Sequence, residues 1–357
     1  MTTLMDKPSD ALDHVSLKHA RLPRWAPVLV LVIAFAASGL LALLLGWGPV
    51  AIVVVALLIY LVVLPTWSRV VENRRSAVDR FVTALVWVAL GLAFVPLVSL
   101  LWTVIREGAP VLDAKFFTWS MRNIVGEKGG IYHAIIGTLL ITACAAVISV
   151  PIGLLTAIYL VEYGAKSRMA SSIRFLVDVM TGIPSIVAGL FAYALFVVFF
   201  GPGVHMGLGG GVALSLLMIP IVVRSSEEML KLVPTDLREA AYALGVPKWK
   251  TIVKVVLPTA LAGIITGVTL AIARVIGETA PLLIIAGSTD STNFNLFKDQ
   301  MMTLPVFIYY SYTQPGNHPE IARPMAWGAA LVLILIVLVL NLLARVLGKI
   351  FAPKTGH

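Results

Sequence analysis

Two arginines stand inside apolar stretches of the sequence, where a charge has little water to solvate it. Arg274 lies near the middle of the stretch 257–287, and Arg224 lies about 18 Å deep in a second stretch, at ~1.5 Å per helical residue. Charges at such depth usually face a cavity, a partner charge or a transported ion. Arginine suits an oxyanion, because its rigid fork donates two parallel hydrogen bonds and stays charged. The two positions therefore predict an anion path.

A glutamate follows each arginine by four residues, Glu278 in one stretch and Glu228 in the other. Such a carboxylate can compete for the guanidinium and keep an anion from binding too tightly, as a transport path requires. The alternative is that each pair is an internal salt bridge that only joins helices. Gly277 and Pro281 flank Glu278, so we expect the helix to break or kink there.

Both arginines lie in stretches that we predict to be membrane spans. The chain has 357 residues, of which 59% are hydrophobic and 13% charged, and this composition disfavours a soluble enzyme. Apolar runs of about 20 residues predict a polytopic, all-α membrane protein. We place eight spans at about 25–45, 49–64, 81–105, 132–160, 173–200, 212–231, 257–287 and 325–347. The single cysteine, the scattered histidines and the absence of convergent catalytic groups predict no metal, no cofactor and no catalytic residue.

Charge orients the spans and divides the chain. Most of the 27 Lys and Arg residues fall in alternate connecting segments, which predicts that both termini and the loop around 232–256 are cytoplasmic. We divide the chain into a tail (1–24), an extra two-span hairpin (25–64), a basic linker (65–80) and a six-span core (81–350). The hairpin is expected to serve as an anchor or packing element. The glycines at 207 and 209–211 are expected to form a flexible outer turn.

The cytoplasmic loop 234–258 predicts a short helix that Thr235 or Asp236 caps at its start. Gly245 suits its end, because glycine adopts positive φ without a Cβ penalty. The loop resembles the EAA loop of ABC-importer permeases, with Val255 where isoleucine is usual. The residues that carry this resemblance are Glu239, Ala240, Ala241, Gly245, Leu257 and Pro258. The resemblance implies that the loop helix docks on a separate cytoplasmic ATPase, and the chain has no P-loop of its own.

Further segments resemble phosphate-importer permeases, namely 181–189, 221–228 and 273–283, and the segments 304–309 and 341–345 point to the A-type subunit. The resemblance implies the type I ABC importer permease fold, here with the extra N-terminal hairpin. It implies that Arg224, Arg274 and Glu278 belong to the phosphate path. It also implies a cytoplasmic-membrane location and a set of partners: a C-type permease, an ATPase dimer and an extracytoplasmic phosphate-binding protein, with no nucleic acid.

Two other functions stay open at this point. The cargo can be another oxyanion such as phosphonate or molybdate, because each accepts the same arginine fork. A remoter alternative is a secondary transporter driven by protons or sodium, in which the Arg–Glu pairs form the coupling relay.

Overall fold

The computed structural model describes residues 21–124, 126–164 and 167–351, and within these ranges it contains helices and no strands. The α-helices are α1 (Ala26–Leu45), α2 (Pro49–Val71), α3 (Arg74–Gly108), α4 (Ala114–Thr118), α5 (Tyr132–Ile158), α6 (Arg168–Thr181), α7 (Ser185–Phe200), α8 (Gly207–Lys231), α9 (Thr235–Ala243), α10 (Lys248–Thr251), α11 (Leu257–Val275), α12 (Ala280–Ile285), α13 (Leu304–Thr313) and α14 (Pro319–Phe351). A 3₁₀ turn spans Ala109–Val111, and π-helical turns span Tyr159–Tyr163 and Ile252–Val256.

Seven described helices are long and apolar enough to cross a membrane, and α6 with α7 makes an eighth span if the bent pair is counted as one. The seven are α1, α2, α3, α5, α8, the continuous helix Lys248–Val275 and α14. The prediction of an all-α polytopic fold with about eight spans is therefore confirmed.

Two of the predicted spans are not single straight helices. The predicted span 173–200 bends by 108° between α6 and α7. Pro184 explains the break, because its ring disfavours helical backbone at the preceding residue. The predicted span 257–287 stops at Val275, and the chain becomes helical again at Ala280. The break expected between Gly277 and Pro281 is thus confirmed, with Pro281 in the first turn of α12, where a missing N–H costs nothing.

The chain divides into two units, of which the first ends at Leu101 and the second begins at Trp102. In the first unit, α1 packs on α2 through small side chains such as Ala34 and Ala56, both fully buried. The side chain of Glu72, in the turn between α2 and α3, is 5% exposed and accepts hydrogen bonds from Ser68, Arg80 and the backbone N–H of Leu22. This one carboxylate therefore ties together three parts of the first unit.

In the second unit, α8 is the central helix and packs along the length of α5. Helices α11 to α14 complete the core, whose fully buried side chains include Ile141, Met218, Leu282 and Leu304. The polar positions of the candidate site lie on α6, α7, α8 and α11 and in the break between α11 and α12.

The prediction of a flexible outer turn at Gly207 and the glycines 209–211 is wrong. These residues form the first turns of α8 and are buried. A Cβ on Gly209 would lie 2.3 Å from Cγ1 of Ile285 in α12, and one on Gly211 would lie 2.6 Å from Sγ of Cys144 in α5. The glycines therefore serve close packing between helices, which a run of glycines in the sequence alone does not distinguish from a loop.

Candidate functional site

A cavity of about 210 Å³ lies where the two broken helices meet α8. The break between α6 and α7, the break between α11 and α12, and the middle of α8 each contribute to its wall. Its lining residues are Met180, Thr181, Ile183, Ser185, Leu217, Pro220, Ile221, Arg274, Val275 and Glu278. Two of the three predicted path residues, Arg274 and Glu278, thus line one cavity together with the hydroxyls of Thr181 and Ser185.

Close packing of α7 on α12 brings the two breaks together. A Cβ on Gly189 would lie 2.6 Å from Cα of Pro281, so only glycine permits this approach. Ser185 is the first residue of α7, a helix of 16 residues, and it lines the cavity. The first N–H groups of a helix have no acceptor within it, and its N-terminal end carries partial positive charge. The cavity therefore has a second electropositive element beside Arg274.

Arg274 and Glu278 do not form the salt bridge that their spacing allows. Because α11 ends at Val275, the two side chains no longer lie one turn apart on one helix face. No ion pair joins them in the described part of the chain. Arg274 is exposed and Glu278 half-buried, so the guanidinium stays open to the cavity.

Arg224 lies one turn along α8 from Pro220 and Ile221, beyond the lining residues of the cavity. Its guanidinium forms an ion pair and a hydrogen bond with Oδ1 of Asp178 on α6. Glu228, the competitor expected from the sequence, forms no ion pair with Arg224 among the described residues. Sequence reasoning missed Asp178, although an acidic residue inside the predicted span 173–200 was the signal that could have found it.

A separate, buried network joins α6 to α8. Glu227 is 2% exposed and accepts from Nε of Arg174 at 3.1 Å and from Nζ of Lys231 at 2.8 Å. Arg174 also donates to the carbonyl of Leu160. A carboxylate enclosed and paired in this way holds helices together, and we assign it no part in the path.

The loop helix stands where the sequence predicts it. Helix α9 begins at Thr235, ends at Ala243 and is followed by Gly245 at φ +72°. The prediction that Thr235 or Asp236 caps its start is wrong, because Pro234 occupies the N-cap position and no side chain accepts a hydrogen bond there. Glu239 and Ala240 are exposed, whereas Ala241 is buried. Leu257 and Pro258 do not begin the next span but lie inside it, because that helix is continuous from Lys248 to Val275.

Arg238, which sequence reasoning missed, fastens α9 to two of the spans. Its Nε and Nη2 donate to Oε1 of Glu162 at 3.0 and 2.8 Å, in the π-helical turn after α5. Its Nη1 and Nη2 donate to the carbonyls of Val233 and Leu230 at 2.6 and 2.9 Å, at the end of α8. These bonds satisfy acceptors that a helix end leaves free. We call this set of contacts the Arg238 clamp.

Comparisons with known proteins agree on one family. The family model described as "Binding-protein-dependent transport system inner membrane component" matches residues 149–357. The Mycobacterium tuberculosis (strain H37Rv) protein "Phosphate transport system permease protein PstA 1" is 46% identical over 286 residues, which cover 79% of this chain and 91% of that protein. The Pasteurella multocida "Phosphate transport system permease protein PstA" is 42% identical over 247 residues, covering 69% and 86%.

A solved structure shares the fold. The crystal structure of a bacterial alginate ABC transporter, in complex with alginate pentasaccharide-bound periplasmic protein, contains a chain that matches with a TM-score of 0.57. The match is 13% identical and covers 78% of this chain and 97% of that one.

Proposed function

Because this chain belongs to the family of binding-protein-dependent transport system inner membrane components, we propose that it is the permease subunit of an ATP-driven importer for inorganic phosphate. Arg274 is the observation that carries this proposal, since its guanidinium is exposed in a cavity between two broken membrane helices. Relatives that are named phosphate transport permeases support the choice of phosphate. The path then runs through the membrane past Arg274 and Arg224.

The cavity suits a hydrated phosphate that gives up part of its water. Arg274 can supply two charge-assisted hydrogen bonds and the hydroxyl of Ser185 a neutral one, whereas the hydroxyl of Thr181 already donates to the carbonyl of Asp178. The N-terminal end of α7 adds positive potential. Glu278 can accept a hydrogen bond from phosphate, which still carries a proton at neutral pH, whereas molybdate carries none to donate. This pairing of an arginine with a carboxylate favours phosphate over a fully deprotonated oxyanion.

Helix α9 is proposed to be the contact with the ATPase subunit, which hydrolyses ATP in place of this chain. Its outward face combines Glu239 and Ala240 with exposed apolar side chains, among them Leu237 at 42% and Leu244 at 83% exposure. An exposed apolar patch with a charge beside it is typical of a protein interface. Ala241 is the buried residue that seats the helix on the rest of the chain, and Gly245 ends it.

The remaining partners follow from the same assignment. We propose a C-type permease as the second half of the path, a phosphate-binding protein on the outer side and an ATPase dimer on the cytoplasmic side, where both termini also lie. The exposed arginines favour a paired permease, because an arginine inside a span needs a cavity or a partner rather than lipid.

Reconstitution tests this proposal. The chain is purified with its permease partner and ATPase dimer, placed in liposomes and supplied with the binding protein and labelled phosphate. Uptake is expected to require both ATP and the binding protein, and unlabelled phosphate should compete more strongly than molybdate or phosphonate. If unlabelled molybdate or phosphonate competes more strongly than unlabelled phosphate, that oxyanion is the substrate. If the chain takes up phosphate without any ATPase and uncouplers abolish this uptake, the protein is a secondary transporter and not an ATP-driven importer.

A further inference from the structure

We propose that Asp178 is a displaceable counter-ion, which holds Arg224 while the path is empty and yields the guanidinium to phosphate as it passes. This inference rests on the proposed function and adds a residue to the same path. It assigns the release step to the pair formed by Asp178 and Arg224, and it leaves Arg274 as the site that receives the anion.

The position of the pair supports this role. Thr181 on α6 and Ile221 on α8 line the cavity, and Asp178 and Arg224 each lie three residues from them. Residues three apart share a helix face, so both members of the pair lie on the faces that form the cavity wall. The offset is about one helical turn, ~5 Å, toward the end of α8 from which α9 follows. An anion that leaves the cavity in this direction therefore meets Arg224 next.

The exposure of the pair makes it replaceable. Arg224 and Asp178 are 44% and 51% exposed, whereas Glu162 and Glu227, which accept from Arg238 and Arg174, are 5% and 2% exposed. Because the protein does not enclose the pair of Arg224 and Asp178, an incoming anion can reach the guanidinium, and the released carboxylate is not left sealed in the interior. A buried pair is costly to break, because its remaining charge stays without a partner. Of these three pairs, only that of Arg224 can exchange its carboxylate for an incoming anion at little cost.

A counter-ion also solves the problem of release. Arg224 is the last arginine of the proposed path, so no further cation draws phosphate away from it, and without a competing anion it would release phosphate slowly. A carboxylate on the neighbouring helix can take the guanidinium back and repel the departing anion. Arg274 has no ion-pair partner among the described residues. The anion therefore meets the unpaired Arg274 first and then Arg224, which is paired with Asp178.

The test uses the assembled complex in detergent, without ATP or binding protein, and measures equilibrium binding of labelled inorganic phosphate. Asp178→Asn keeps the shape of the side chain and removes its charge. We expect this variant to bind phosphate at least about tenfold more tightly than the wild type, since ~1.4 kcal/mol corresponds to a factor of ten. In liposomes the same variant is expected to have a lower maximal uptake rate, because release becomes slow.

Glu228→Gln is the matched control, since Glu228 is also exposed and lies one turn from Arg224 but forms no ion pair with it among the described residues. Its phosphate affinity should equal that of the wild type. The double variant Asp178→Asn with Arg224→Gln should lose the gain in affinity. A merely structural pair would not raise the affinity when one partner is removed, so the direction of the change distinguishes the two roles.

Three results would overturn the counter-ion: an Asp178→Asn affinity within twofold of the wild type, a gain that persists without Arg224, or loss of assembly in both Asp178→Asn and Asp178→Ser. These failures are distinct from failure of the proposed function. In the latter case the wild-type complex itself would neither bind nor take up phosphate, whereas an intact wild-type importer with an unresponsive Asp178 variant rejects the counter-ion alone.

Discussion

The arginines of the second unit differ in what surrounds them, and the surroundings separate binding from structure. Arg238 and Arg174 donate to buried carboxylates and to backbone carbonyls, so both guanidinium groups are engaged within the chain. Arg224 has one exposed partner, and Arg274 lies open in a cavity. An arginine whose donors are not consumed by the protein is the one that can serve a ligand.

Arg274→Gln tests the receiving site. The substitution removes a charge and a two-pronged donor, and each hydrogen bond to a charged group is worth about 1.5–3 kcal/mol. We expect the initial rate of phosphate uptake to fall by roughly a hundredfold or more, while the complex still co-purifies with its partners. Arg274→Lys should retain part of the rate, because it keeps the charge and loses the fork.

Arg122→Gln is the control for Arg274, because Arg122 is an exposed arginine in the connection between α4 and α5. Its loss should leave uptake unchanged. If the Arg274 variant in an intact complex transports at a rate close to that of the wild type, the assignment of Arg274 to the path is wrong.

Among the elements, α8 links the loop helix to the path. The Arg238 clamp joins α9 to the end of α8 and to the turn after α5. Arg224 lies on the same α8 about two turns from Leu230, whose carbonyl the clamp engages. A rigid helix transmits displacement along its length, so movement of α9 is expected to move Arg224 and the part of the cavity wall that α8 forms.

Arg238→Gln tests this linkage. A glutamine cannot bridge Glu162 and the carbonyls of α8 together, so we expect ATP hydrolysis to continue while phosphate uptake per ATP falls about tenfold. Loss of one buried charge-assisted pair of this kind typically costs a few kcal/mol, which is enough to loosen α9. Uptake and ATP hydrolysis are measured on the same liposomes, after co-elution of all subunits has been checked.

The control for the clamp is Asp236→Asn, which removes an exposed charge from the same helix. It should preserve the ratio of uptake to hydrolysis. An unchanged ratio in the Arg238 variant would show that the clamp does not transmit the movement of α9.

At the scale of the whole molecule, the two units have separate hydrophobic cores and separate charge networks. Glu72 is the electrostatic centre of the first unit. Hydrogen bonds from Arg80 lower the pKa of Glu72 to about 2, against its ordinary 4.5, and Ser68 and the N–H of Leu22 act in the same direction. A carboxyl with a lowered pKa stabilises the fold above pH 4.5, and this stabilisation is lost as the pH falls toward about 2.

Glu72→Gln is therefore expected to lower the thermal stability of the chain in detergent at pH 7 and to weaken the dependence of stability on pH between 4.5 and about 2. The expected loss is about 1.5–3 kcal/mol, the value of a hydrogen bond to a charged group. Phosphate uptake at 25 °C should change less than twofold, because Glu72 lies in the first unit and the candidate path in the second.

Glu107→Gln provides the comparison for Glu72, since Glu107 pairs at 3.8 Å with Arg106 and both side chains are exposed. It should leave the stability almost unchanged. Equal stability of the Glu72 variant and the wild type at pH 7 would contradict the assigned role of the Glu72 carboxylate.

Features that depend on neighbours along the chain could be predicted from the amino-acid sequence. Apolar runs reveal membrane spans, because the membrane core requires about 20 apolar residues per helix. The helix ends at Gly245 and near Gly277 follow from local backbone preferences, whereas the break at Pro184 was not predicted. The sequence also named Arg274 and Glu278, which the structure brings to one cavity, although their role in the phosphate path stays a prediction.

Contacts between residues far apart in the sequence could not be predicted without the packing of the helices. Asp178 lies 46 residues before Arg224, and Glu162 lies 76 residues before Arg238. Such pairs depend on how α5, α6 and α8 pack. The sequence alone offers several acidic residues as possible partners of each arginine and does not distinguish between them. Glu228 is nearer to Arg224 along the chain, but the packing of α6 on α8 places Asp178 against the guanidinium. The glycines that begin α8 show the same limit, because close contact between helices is a property of two surfaces rather than of one segment.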